Sequence, residues 1–115
     1  MITYSTGGPK KETANMLERT LLIDDLRPFN VNIIARTYVD GIWELRHHGP
    51  WDVLYLDHDL GNNSYDKHLD RDRTGYDVLC WLEEHKQFLP KKIVVVSDNA
   101  VGIQKMKQTI EILYS

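Results

Sequence analysis

The chain has 115 residues, of which 42% are hydrophobic and 27% charged. That length and balance suit one domain able to bury a core. The net charge of −3 argues against a broad DNA-binding surface. Cys80 is the single cysteine, so no internal disulfide can form. No apolar stretch approaches the ~20 residues of a transmembrane helix, and the start lacks an apolar signal core. A cytoplasmic setting without a membrane partner is expected.

Residues 1–19 read as an N-terminal extension to a domain over 20–115. Ile2-Thr3-Tyr4 suggests a short strand and Gly7-Gly8-Pro9 a turn. Lys10 to Arg19 reads as either a weak helix or a flexible segment. Thr20 to Asp24 is strand-like. Pro28 then blocks an ordinary helix start, because the residue before proline avoids the α region, so Leu26 to Asn32 is expected to be short and irregular. Val31 to Thr37 reads as a second strand. Tyr38 to His47 reads as a helix, with Val39, Ile42, Trp43 and Leu45 at roughly helical spacing. Trp51 to Asp57 is a third strand. Residues 61–74 form a polar loop, long for so small a domain. Gly75 to Gln87 reads as a helix that holds Cys80 as a core thiol. Ile93 to Ser97 is a β-branched strand. Asp98-Asn99 offers a turn and a cap before a last helix from about Val101 to Leu113. Strands alternating with helices predict a mostly parallel sheet of four or five strands in a three-layer α/β/α domain.

Two apolar runs stop abruptly at acids. Leu21-Leu22-Ile23 ends at Asp24-Asp25, and Val53-Leu54-Tyr55-Leu56 ends at Asp57-His58-Asp59. In a parallel sheet the strand C-termini share one edge, where ligands bind. Like charges ~4 Å apart repel by roughly 4 kcal/mol at an effective dielectric of 20, so a compensating cation or a shared proton is expected. Asp24, Asp25 and Asp57 make a hard-oxygen set suited to Mg²⁺, Mn²⁺ or Ca²⁺ rather than zinc. His58, between two acids, suits proton transfer near neutral pH, and Asp59 could orient it. Arg27 could clamp a phosphate or neutralise Asp24 or Asp25. Arg36 ends the second strand and could reach the same edge. Ser97 and Asn99 precede a helix, whose first N–H groups favour an anion. Lys67, Arg71 and Arg73 in the polar loop could close over an anionic ligand.

The order of these motifs resembles response-regulator receiver domains: an acidic pair at Leu22-Ile23-Asp24-Asp25, an aspartate at Leu56-Asp57, and Val95-Val96-Ser97. Receivers continue to a fifth strand bearing an essential lysine and then a fifth helix, a unit this sequence is expected to lack. The closer resemblance is to the cyclic-phosphate-processing receiver domains. It rests on Asp24-Asp25-Leu26-Arg27-Pro28, Ala35-Arg36-Thr37, Leu56-Asp57-His58-Asp59-Leu60-Gly61, Thr74-Gly75-Tyr76-Asp77-Val78 and Ser97-Asp98-Asn99-Ala100-Val101-Gly102. Family members often carry a histidine just before the serine of the last motif, where this chain has Val96. The resemblance implies a receiver-like, flavodoxin-type fold. It also implies processing of a cyclic phosphate on a small nucleotide or an RNA end.

The residues and the resemblance together imply hydrolysis with Mg or Mn as cofactor. Asp24, Asp25 and Asp57 would hold the metal. His58, Asp57 and Asp59 would act catalytically, and Arg27, Arg36, Ser97 and Asn99 would bind phosphate. The alternatives are a non-catalytic module that binds a nucleotide phosphate, and phosphoacceptor signalling at Asp57.

Overall fold

The computed structural model describes residues 2–7, as backbone, and 18–115. The weak helix considered over Lys10 to Arg19 falls almost wholly outside these residues. The main sheet contains β1 (Ile2–Gly7), β2 (Thr20–Ile23), β3 (Ile33–Ala35), β4 (Val53–Leu56) and β7 (Lys92–Ser97). A small hairpin of β5 (Tyr65–Asp66) and β6 (Arg71–Asp72) stands apart from it. The helices are α1 (Tyr38–His47), α2 (Gly75–Glu84) and α3 (Ala100–Leu113). Strand order across the sheet is β1-β7-β4-β2-β3. The last four strands in that order are mutually parallel. β1 runs antiparallel to β7 and closes the edge, with Ile2 opposite Ser97.

The chain direction explains where the helices lie. From β3 the chain passes through α1 to β4, and then through α2 to β7, stepping the same way across the sheet each time. Right-handed crossovers in one direction place their helices on one face. The step from β2 to β3 goes the opposite way, so a helix there would lie on the other face. Instead that link is irregular, as Pro28 predicts, and Phe29 packs edge-on against Tyr55 at 5.7 Å. Between β2 and β3 the described residues hold no helix.

Alternation along the strands sorts the core. Leu21, Ile23, Leu54, Leu56, Ile93 and Val95 share one face and are buried with Val78, Leu79, Leu82, Met106 and Ile110 of α2 and α3. Each such side chain contributes roughly 1.5–3 kcal/mol on burial. Of the three tryptophans, only Trp51 is fully inside, where its indole N–H donates to the Glu44 carbonyl at 3.1 Å. The helical pattern of α1 is only partly inward, since Val39 and Trp43 are exposed. Cys80 is half-buried and lies outside the core cluster, short of the core position expected; its partial burial raises the thiol above its ordinary pKa. Among the described residues, no helix is long and apolar enough to cross a membrane.

Candidate functional site

The crossover direction reverses between β2 and β4, and ligand crevices in open α/β sheets form outside the strand ends at such a reversal. Asp24 and Asp57 are the residues that follow these two strands. The sheet hydrogen bonding continues one step beyond each strand, so both acids are held rigidly. Asp24 N–H donates to Ala35 O at 3.1 Å, and Asp57 N–H donates to Ile23 O at 3.0 Å. Asp24 is fully buried and Asp57 is 5% exposed.

Asp24 also shapes the segment after it. Its Oδ1 accepts the backbone N–H of Leu26 at 2.9 Å and of Arg27 at 3.0 Å. The turn leads into Pro28, which keeps a helix from starting here. Arg36 braces the turn from outside, donating Nη1 to the carbonyls of Asp24 at 3.2 Å and Arg27 at 2.9 Å. Asp25 is half-buried beside Gly61. A Cβ on Gly61 would stand 2.8 Å from Asp25 Oδ2, and φ at Gly61 is +73°, so glycine is required twice over. One oxygen each from Asp24, Asp25 and Asp57 lies within 4.8 Å of the others.

Arg27 answers the charge of this cluster. Its Nη1 lies 3.1 Å from Asp24 Oδ2 and 3.2 Å from Asp57 Oδ2, while Nη2 lies 2.7 Å from Asp98 Oδ2. One guanidinium does not balance the carboxylates. Burial, followed by repulsion from Asp24, pushes the Asp57 carboxyl up to about 6. Arg27, the His58 N–H and the Ser97 hydroxyl oppose that rise by bonding or attracting the charged form. Ser97 is fully buried; its Oγ also accepts the Asn99 N–H at 3.0 Å.

Glycines let the helices approach this edge. Gly75 opens α2 directly on the backbone of Asp57, where a Cβ would meet the carbonyl oxygen at 2.0 Å. Its N–H donates to His58 O at 2.8 Å. In the first turn of α3, Gly102 makes room for His58, whose Cδ2 would lie 2.5 Å from an added Cβ. His58 Nδ1 faces Asp59 Oδ1 at 3.1 Å and the Asn99 amide nitrogen at 3.4 Å. Asn99 caps α3, accepting the Gly102 N–H at 2.8 Å.

An open cleft of about 300 Å³ lies over these groups, lined by Asp24, Asp25, Leu26, Arg27, Asp57, Asp59 and Asp98. The expected Asp24, Asp25, Asp57, Asp59 and Arg27 are therefore brought together. His58, Ser97, Asn99 and Arg36 stand behind them, bonded to neighbours, rather than among the lining residues. Sequence reasoning missed Leu26 and Asp98. Asp98 reads as a possible cap, but Asn99 takes that role and Asp98 turns to Arg27, 71 positions away. No local pattern signals such a pair.

The polar loop carries more order than its composition suggests. Arg71 grips Asp77 with both terminal nitrogens, at 2.8 and 3.0 Å, and Arg73 Nε holds Asp66 at 3.0 Å. Asp77 in turn accepts the Thr74 N–H at 2.8 Å, completing a capping box at the start of α2. Arg71 and Arg73 thus fasten the β5–β6 hairpin to the domain through these carboxylates.

The donor set fits a hard divalent cation. It offers three carboxylates, two of them buried, with one guanidinium between them and no soft ligand. The sheet order, the reversal point and the acidic edge together define a receiver-like α/β domain. The chain belongs to the cyclic-phosphate processing receiver domain family, whose model matches residues 19–112. Neither the curated proteins nor the solved structures provide a match.

Proposed function

We propose that this domain hydrolyses a cyclic phosphodiester on a nucleotide or an RNA end, with Mg²⁺ or Mn²⁺ held by Asp24, Asp25 and Asp57. The carrying observation is the convergence of these three carboxylates with Arg27 at the reversal point of the sheet. When bound, the cation polarises the phosphoryl group and lowers the pKa of a water. Arg27 Nη2 reaches the cleft and binds a phosphoryl oxygen. Arg36 supports that capture by holding the turn that carries Arg27. Ser97, through its bond to Asp57, fixes the carboxylate that a bulkier or repelled group would displace. Attack by water forms one P–O bond while the ring P–O bond breaks. The proton lost by the attacking water passes through Asp59, which lines the cleft, to His58 behind it, and returns by the same route to the departing ribose oxygen. Incubation with cyclic nucleotides and 2′,3′-cyclic-phosphate RNA, with Mg²⁺ or Mn²⁺, tests the reading. Turnover is expected, and Asp57→Ala should reduce it at least a hundredfold; absence of turnover on every substrate overturns it.

A second reading is binding without cleavage. Arg27 lies within ion-pair distance of both buried acids, and Val96, 1% exposed, stands where family members often carry a histidine. Calorimetry with the same ligands separates the two, since recovery of intact ligand after tight binding favours this reading. Phosphoacceptor signalling at Asp57 is a third reading. The strand beside β7 in this sheet is β1, whose sequence Ile-Thr-Tyr-Ser-Thr-Gly holds no lysine. A shift of the amide spectrum with beryllofluoride is the result that would restore it.

A further inference from the structure

Asp98 and Arg27 meet at the mouth of the cleft, and the two ends of the guanidinium stand in different surroundings. Nη1 points inward between Asp24 and Asp57, which are nearly or fully buried. Nη2 points outward to Asp98, whose side chain is 75% exposed. The Arg27 backbone has little freedom, because its N–H is held by Asp24 Oδ1 and its carbonyl by Arg36. The inner half of the fork is therefore fixed between buried carboxylates, while the outer half is bonded to an exposed one. A carboxylate and a phosphoryl group present the same pair of oxygens to a guanidinium. We propose that Asp98 is a positioning and specificity residue: it occupies the phosphate position on Arg27 in the free protein and yields to an incoming phosphoryl group. This rests on the phosphate-ligand reading above.

Two consequences follow from the chemistry. An exposed ion pair contributes little, so phosphate can displace Asp98 readily, whereas it cannot displace Asp24 or Asp57 from the inner nitrogen. The pair also raises the threshold for entry. A weak or neutral ligand leaves Arg27 with Asp98, and a phosphoryl group with free anionic oxygens does not.

The test is titration of inorganic phosphate, and separately of adenosine 2′,3′-cyclic phosphate, in buffer with Mg²⁺, into the wild-type chain, Asp98→Asn, Arg27→Ala and the charge control Glu111→Gln. Binding is read by calorimetry and the Arg27 guanidinium protons by NMR. Asp98→Asn should tighten binding by up to about fivefold, the range an exposed ion pair supplies, and Glu111→Gln should not. Without ligand, the Arg27 Nη signals of Asp98→Asn should differ from those of the wild type, and phosphate should move the same signals in the wild type. A merely structural Asp98 would change stability without tightening binding. If the wild type binds and Arg27→Ala does not, but Asp98→Asn binds no tighter, this inference fails alone. If no chain binds either ligand, both it and the phosphate reading of the cleft fail.

Discussion

Asp24 and Asp57, at the ends of adjacent strands, are bridged by a single nitrogen of Arg27, 3.1 Å from one carboxylate and 3.2 Å from the other. The arrangement keeps two nearly buried acids side by side at a cost that one guanidinium only partly offsets. Asp57 carries the remainder as a carboxyl raised to about 6.

That shift fixes the sign of a pH effect. The ordinary Asp value is 3.8, and the folded value is about 6. Between these values the folded protein binds more protons than the unfolded chain, so stability falls as pH rises through the window. Below the window Asp57 is protonated in both states, and above it the loss is complete, on the order of 2–3 kcal/mol. Asp57→Asn should therefore raise the melting temperature at pH 7.5 and flatten this part of the stability profile. A melting temperature that drops at pH 7.5 contradicts the assignment.

Divalent cations should act on the same carboxylates. Mg²⁺ or Mn²⁺ should raise the melting temperature more at pH 7.5 than at pH 5, where a proton on Asp57 competes. A cation at a hundred times its Kd adds about 2.7 kcal/mol. Arg27→Met leaves two buried acids uncompensated and should cost about 3 kcal/mol without metal, with a larger rescue by Mg²⁺ than in the wild type. Differential scanning calorimetry across both pH values checks all three outcomes.

Two glycines should respond differently to alanine. Gly75→Ala forces a Cβ into the Asp57 carbonyl, which is backbone and cannot step aside. A loss of about 3 kcal/mol or more in urea unfolding is expected, as for a severe core clash. For Gly102→Ala the nearest atoms belong to the His58 ring, a side chain and not backbone. Its stability should change by less than about 1 kcal/mol, while the His58 ring signals move in the NMR spectrum.

Asp77 anchors both the start of α2 and the hairpin. Burial pushes its carboxyl up, but the Arg71 bonds and the Thr74 N–H hold it below the ordinary value. Asp77→Ala removes the capping box and the Arg71 partner together, at a cost of about 1–2 kcal/mol. Amide exchange should rise across β5 and β6 while β4 stays protected. Uniform exchange across the domain would show that the hairpin is not fastened through Asp77.

Periodicity and punctuation determined much of the fold by themselves. The apolar runs at residues 21–23, 53–56 and 93–96 became neighbouring parallel strands, because short β-branched and leucine-rich segments have few other ways to bury their side chains. Pro28 predicted the irregular link. The acids at 24, 25 and 57 were legible because charge at the end of a buried strand is costly and therefore conspicuous. Other features depended on contacts between distant segments. The 61–74 loop reads as polar chain, yet it folds into a hairpin because Arg71 and Arg73 find Asp77 and Asp66. Arg27 was open between phosphate clamp and ion-pair partner until the tertiary structure set it on Asp24, Asp57 and Asp98 at once. An ion pair has no sequence period, so only the folded chain decides which carboxylates an arginine meets.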